Sequence, residues 1–215
     1  MHFQEKRQII EVCHALQSIN YFLGTWGNVS LRVDDHILLT PSRVNYDSML
    51  PDDIVVIDLM GNKIEGERNP TSEKEVHRQI YLARDDVRAV IHAHTEYAMA
   101  VSSLRLNEVP CIVEEMSQML GGSIPLTRQY VPAAQHAELG KAAAEVIGDR
   151  NCVILRNHGP VGCGRNMEEA ILACKVAEKA CKIYLATGGN VIRIPDEYAA
   201  SERYRFVYTY GKEKT

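Results

Sequence analysis

Between residues 29 and 65 the chain alternates short apolar, β-branched segments with tight turn chemistry, and this pattern limits its architecture more than any other feature. Val29–Val33 and His36–Thr40 read as a hairpin closed by Asp34-Asp35. Ile54–Asp58 and Lys63–Glu65, joined through Met60-Gly61-Asn62, read as a second strand pair. Helical spacing surrounds this strand-rich stretch. Residues 3–23 place apolar side chains at Ile9, Ile10, Val12, Cys13, Leu16 and Ile19, an amphipathic helix that Gly24-Thr25-Trp26-Gly27-Asn28 interrupts. Ser72 and Glu75 have capping-box spacing for a helix from about Glu73 to Ala83. Arg88–His94 and Val153–Arg156 read as strands and Tyr97–Leu104 as a short helix. Asn166–Thr187 is the longest helix, stopped by Gly188-Gly189, and Asp196–Tyr208 is the last. Early strands with helices distributed along the chain predict an α/β (α+β) layered fold. No repeat or linker divides the 215 residues, so residues 1–215 are expected to form one domain.

Charge excludes two classes of function. Against 24 basic residues stand 28 acidic ones, a net −4, so attraction to nucleic acid or an anionic membrane is not the business of the chain. No apolar run approaches the ~20 residues of a membrane span, and the first residues lack the apolar core of a signal peptide. Six cysteines (Cys13, Cys111, Cys152, Cys163, Cys174, Cys181) stand singly in mostly apolar segments with no C-x-x-C pair, which predicts reduced, buried thiols in a cytoplasmic protein. The eight histidines then become the residues to explain.

His92 and His94 flank Ala93 in a strand pattern, and residues two apart on a strand share a face at roughly 6.6–7 Å. Two imidazoles so placed can converge on one ion, although H-x-H by itself equally fits a pair of surface or core histidines. A third ligand can come from His158, just after the Val153–Arg156 strand in Asn157-His158-Gly159. Three histidines with an open position make a catalytic rather than a closed structural metal site. His14 and His77 sit in helices at positions explained by packing or surface, and His2, His36 and His136 are expected in solvent. Glu73 follows Pro70-Thr71-Ser72 at a helix start, where free N–H groups and the helix dipole favour anions. The Gly24–Asn28 turn and Thr40-Pro41-Ser42-Arg43 add further donors suited to an oxyanion. Each piece alone is an ordinary cap or turn; their company with H-x-H gives them weight.

Taken in order, Gly24-Thr25-Trp26-Gly27-Asn28-Val29-Ser30, Leu39-Thr40-Pro41-Ser42, Thr71-Ser72-Glu73, His92-Ala93-His94, Asn157-His158-Gly159 and Thr209-Tyr210-Gly211 resemble the class II aldolase/adducin superfamily. The resemblance implies a central mixed or antiparallel sheet flanked by helices, and a homotetramer with active sites between subunits. It implies a zinc-dependent enzyme, with manganese or cobalt as substitutes, that reversibly cleaves a ketose 1-phosphate such as L-fuculose 1-phosphate to dihydroxyacetone phosphate and an aldehyde. His92, His94, His158 and Glu73 would be the metal ligands, and Glu73 would leave the metal to act as general base. Thr25, Asn28, Ser42, Arg43, Thr71 and Ser72 would surround the substrate phosphate. Tyr210 would reach a neighbouring subunit's site as proton donor, whereas Tyr204 is expected to pack on its own core.

Two departures bear on the chemistry. Members of that aldolase branch carry a tyrosine shortly after a Pro-x-Ile stretch, but here Pro110-Cys111-Ile112-Val113 leads to Glu114-Glu115. A glutamate from this region is the catalytic acid of methylthioribulose-1-phosphate dehydratases in the same superfamily, so Glu114 is a candidate catalytic residue. Arg43 stands where those aldolases have glycine. Sugar-phosphate 4-epimerases and phospho-keto-acid decarboxylases share the scaffold as further alternatives. The adducin-like head, a non-enzymatic binding module, does not retain the ligand set that this sequence keeps.

Overall fold

The computed structural model describes residues 1–211. In chain order the elements are α1 (Phe3–Ser18), β1 (Asn28–Val33), β2 (His36–Leu39), β3 (Val55–Asp58), β4 (Lys63–Glu65), α2 (Lys74–Ala83), β5 (Ala89–His92), α3 (Glu96–Ser102), β6 (Glu108–Val109), β7 (Ile124–Pro125), α4 (His136–Ile147), β8 (Cys152–Leu155), β9 (Gly159–Gly164), α5 (Met167–Ala186) and α6 (Asp196–Tyr208). A π-helical turn spans Met116–Leu120.

Seven strands form one sheet in the order β4-β3-β2-β1-β5-β9-β8, antiparallel at every pairing. The side-chain period of two divides each strand between two apolar layers. On one face Val29, Leu31, Leu38, Val56 and Ile91 pack with α1 and α5. On the other, Ile37, Leu39, Val55, Ile57, Val90 and Val161 pack with Val76 and Ile80 of α2 and Leu139 and Ala143 of α4. A third cluster joins α3, α5 and α6 to the β6–β7 pair and the π-turn. The result is a helix–sheet–helix sandwich, the α/β layered class that the element pattern predicts. Among the described residues no helix is long and apolar enough to cross a membrane. All six cysteines are buried and unpaired. Burial pushes the thiols of Cys163 and Cys174 up to about 12, so neither is a ready nucleophile.

Several expectations move. α1 ends at Ser18 rather than residue 23, because Asn20 takes a left-handed φ of 59° and the Tyr21 N–H closes on the Leu16 carbonyl. β5 stops at His92, so His94 lies beyond the strand. The Ser72–Glu75 capping box does not form: Glu73 occupies the cap position, and the Glu75 carboxylate is taken by the Arg78 guanidinium at 2.8 Å. Tyr204 is exposed against Tyr208, because α6 turns Ala199 and Phe206 inward and holds Arg203 on the carbonyls of Gln118 and Met119. The sequence pattern carries no signal for α4, β9 or the β6–β7 pair.

Close packing of α5 on β9 depends on Gly162. A Cβ there would lie 2.5 Å from Cys174 Sγ and 3.1 Å from the Ala170 carbonyl oxygen. Gly162→Ala should therefore destabilise the protein by about 1–3 kcal/mol in urea unfolding, and adding Cys174→Ala should recover part of the loss. Unchanged unfolding of the single variant would show that the helix can give way.

Candidate metal centre

β1 is flanked by β2 and β5, and its first residue, Asn28, lies directly opposite His92, the last residue of β5. β9 flanks β5 on the other side, with Val161 opposite His92. The turn that feeds β9 carries His158, just after Asn157 at a left-handed φ of 55°. Gly159 allows this turn to press on the end of β5, since a Cβ there would meet the Ala93 carbonyl oxygen at 2.5 Å. Three imidazoles thus meet at one sheet end. The His92 ring centroid is 4.9 Å from that of His94 and 4.7 Å from that of His158, and the latter two are 5.0 Å apart. His92 and His94 approach through their Nε2 atoms at 3.0 Å although His94 has left the strand.

Glu73 caps α2 beneath these rings. Its Oε1 is 3.1 Å from His158 Nε2, and its Oε2 is 3.4 Å from His92 Nε2 and accepts from Asn28 Nδ2 at 2.7 Å. Burial would push this carboxyl up. The His92 ring, the His158 hydrogen bond and the Asn28 amide outweigh that and hold it well below the ordinary carboxylate range. Burial pushes His92 down to about 3 and lowers His94 too, with His158 adding to each shift. Both shifts favour the neutral form of His92 and His94, the form that ligates metal.

The donor set fits a cation. One ligand atom from each of His92, His94 and His158 lies within 4.8 Å of the others. Tetrahedral Zn–N bonds of about 2.0–2.1 Å place nitrogens about 3.3 Å apart, within reach of small rotamer adjustments. His92 Nδ1 donates to the Pro160 carbonyl at 3.0 Å, which leaves the Nε2 lone pair aimed at its neighbours.

A cavity of about 310 Å³ opens beside the cluster. Glu73, His94 and His158 form one wall, while Thr25, Asn28, Ser42, Arg43, Thr71 and Ser72 form much of the rest. All six expected phosphate contacts thus face one space, and the fourth expected ligand lies beside the three histidines. Arg43 has φ 61°, the left-handed region natural to glycine, so its guanidinium is presented from a backbone that glycine would hold more easily. Trp26 lines the cavity, stacks on His94 at 6.0 Å and is 63% exposed.

Two expected catalytic residues stand elsewhere. Glu114 is exposed and does not line the cavity. Tyr210 is exposed, stacked on Phe206 at 6.0 Å with the Arg205 guanidinium 5.2 Å from its ring. His136 is exposed as expected, whereas His2 and His36 are half-buried and share a hydrogen bond of 3.1 Å. His77 is fully buried against Asn28 and Ser30, at 2.5 and 2.6 Å. Its four-residue offset from Glu73 was the signal available in the sequence.

Residues 7–185 match the family described as Class II Aldolase and Adducin N-terminal domain. The chain belongs to this family. An L-fuculose phosphate aldolase of Methanocaldococcus jannaschii is 34% identical over 182 residues, which cover 84% of this chain and 96% of that one. A 5-deoxy-D-ribulose 1-phosphate aldolase of Bacillus thuringiensis is 31% identical over 188 residues, 86% of this chain and 85% of the relative. A solved L-fuculose 1-phosphate aldolase superimposes with a TM-score of 0.89 at 32% identity, covering 95% of this chain and 97% of that one. The neighbour's fold agrees with the layered architecture described above.

Burial of neutral His77 and His92 makes folding sensitive to acid. Burial, reinforced by the neighbouring His92, also pushes His77 down to about 3. Both rings take up protons in the unfolded chain near 6.5 and in the folded one only near 3, so stability present above pH 6.5 is lost as the pH falls. Glu73, also depressed, acts in the same sense at lower pH. Urea unfolding of metal-free protein should show stability falling between pH 6.5 and 5, by up to about 1.4 kcal/mol per pH unit for each ring. A flat profile over that range would contradict neutral, buried rings.

Proposed function

We propose that the chain is a metal-dependent class II aldolase that reversibly cleaves a ketose 1-phosphate to dihydroxyacetone phosphate and an aldehyde. One observation carries this reading: three clustered imidazoles and the Glu73 carboxylate stand at a cavity ringed by hydroxyl, amide and guanidinium donors. The two named aldolase relatives act, by their names, on different sugar phosphates. The reading therefore extends to the class of substrate, with L-fuculose 1-phosphate as the first to test.

His92, His94 and His158, with Glu73, would hold a divalent ion, zinc before manganese or cobalt. When bound it supplies Lewis-acid stabilisation of the negative charge that develops on the carbonyl oxygen as the carbon–carbon bond opens. Thr25, Asn28, Ser42, Arg43, Thr71 and Ser72 bind the phosphate and orient the reacting carbons relative to Glu73. Glu73 is the base: in the condensation direction it removes a proton from the hydroxymethyl carbon of dihydroxyacetone phosphate, and after cleavage it returns one. Tyr210 serves as proton donor at the aldehyde end of a neighbouring subunit's site. Its exposure just past the end of α6, a helix that also exposes Tyr198, Tyr204 and Tyr208, supports a homotetramer with active sites at subunit interfaces. Glu114, outside the cavity wall, gives the dehydratase alternative no support within the chain. The expected setting is the cytoplasm.

Proton exchange on dihydroxyacetone phosphate, read beside cleavage and metal content, tests the assignment. Chelation should abolish both activities, and a divalent ion should restore them. Glu73→Gln should retain most of the metal and lose roughly 10²–10⁴-fold in exchange. Tyr210→Phe should keep exchange and slow cleavage. Full activity of metal-free protein, or near-normal exchange in Glu73→Gln, would overturn the mechanism.

Arg43 gives a separable test of the phosphate end. Arg43→Gly should relax the backbone, raising stability by about 1 kcal/mol. KM for the ketose 1-phosphate should rise about tenfold with kcat changed only a few-fold. A KM that does not move would remove the guanidinium from the binding site.

A further inference from the structure

The site continues inward through a buried line of hydrogen bonds, and its last members have no contact with the cavity. Asn28 and Ser30, two apart on β1, face α2, and Glu73, His77 and Tyr81 follow one another at four-residue intervals on the opposing face of that helix. Two strand residues advance about 6.8 Å and four helix residues about 6 Å, so the two stripes stay in step. Asn28 Nδ2 donates to Glu73 Oε2 at 2.7 Å, and its Oδ1 lies 2.5 Å from His77 Nε2. Ser30 Oγ is 2.6 Å from His77 Nδ1 and 2.7 Å from the Tyr81 hydroxyl. All five residues are buried, Ser30 and His77 completely.

We infer that His77 is a positioning residue: backed by Ser30 and Tyr81, it locks the Asn28 amide so that the Glu73 carboxylate is held toward the three imidazoles. The inference rests on the reading of Glu73 as ligand and base. Proton bookkeeping gives the line one direction. An ionised carboxylate only accepts, so the Asn28 amide must turn its NH2 toward Glu73 and its oxygen toward His77. That oxygen only accepts, so the proton of the neutral His77 ring sits on Nε2 and Nδ1 accepts from the Ser30 hydroxyl. The Ser30 oxygen is then free to accept from the Tyr81 hydroxyl at 2.7 Å, a hydroxyl that also has the Arg88 carbonyl oxygen at 3.3 Å. Reversing the amide would set Oδ1 against the carboxylate and NH2 against the ring N–H. Asn28, His77 and Ser30 cannot reorient one at a time without setting donor against donor or acceptor against acceptor. A histidine placed merely to fill the α2–β1 interface would not need its tautomer dictated by the carboxylate at the far end.

The decisive readout is metal affinity, measured by zinc competition against a chromophoric chelator, which does not depend on turnover. His77→Phe fills the space and donates nothing to Asn28; zinc affinity should fall roughly 10–100-fold. Proton exchange on dihydroxyacetone phosphate should fall in kcat more than in KM. His77→Gln, whose amide can donate from near the Nε2 position, should restore most of both. In the unmodified protein, nitrogen-15 NMR should show the His77 proton on Nε2. Should His77→Phe fail to fold, Ser30→Ala keeps the ring and should weaken zinc binding about threefold. A proton on Nδ1, or folded variants with unchanged zinc affinity, would overturn the inference. If Glu73→Gln leaves exchange intact while His77→Phe still weakens zinc binding, the base assignment fails and the positioning role stands.

Discussion

An ionised carboxylate taken out of water must be surrounded by donors or surrender its charge, and the Glu73 end of the molecule is organised around that requirement. Its neighbours come from three elements: Asn28 on β1, His92 on β5 and His158 in the β8–β9 turn. They can meet only because the sheet sets β1, β5 and β9 side by side, with Asn28 directly across from His92. Strand order is thus a condition for keeping the charge, and the charge fixes how the side chains around it are protonated. A cation among the three imidazoles would add the missing counter-charge.

The cavity separates two kinds of chemistry. Imidazoles suited to a cation stand on one wall, and groups suited to an anion, including a guanidinium, stand on the others. A substrate with a phosphate at one end and neighbouring oxygens further along can satisfy both at once, which ties orientation to binding. Arg43 adds its guanidinium to the cavity lining from a left-handed backbone conformation that disfavours a side chain.

What the sequence disclosed was mostly local. The Val29–Val33 and His36–Leu39 hairpin, the capped α5 and the bounds of α6 follow from turn chemistry and periodicity within each segment. β9 was illegible for a physical reason: Gly-Pro-Val-Gly-Cys-Gly has poor strand propensity and pairs because β5 and β8 flank it and α5 needs a thin strand beneath. The capping box failed because Arg78 competes for Glu75. At the site, the H-x-H pattern and a strand-end position pointed to His92, His94 and His158. The strand-face argument for the pair fails because His94 has left β5, and the company of the three with Glu73 came from family motifs. His77 was not legible, because a stripe at four-residue intervals acquires meaning only when α2 lies over the matching stripe of β1. Tyr204 shows the converse, an aromatic residue that sequence logic sends inward and the inward faces of Ala199 and Phe206 send out.

The way the donors are dispersed also bears on when an ion can enter. Glu73, His92 and His94 are synthesised well before His158, and His158 takes its place only after β9 has paired with β5 across a long stretch of intervening chain. A nascent or half-folded chain therefore has an incomplete and misdirected set of nitrogens. The full donor set exists only in the folded chain, so an ion held by it would weigh on the native side of the unfolding equilibrium, and the more so the higher its free concentration. An ion retained there would report finished tertiary structure, and its removal would leave a chain of the same shape that is easier to unfold.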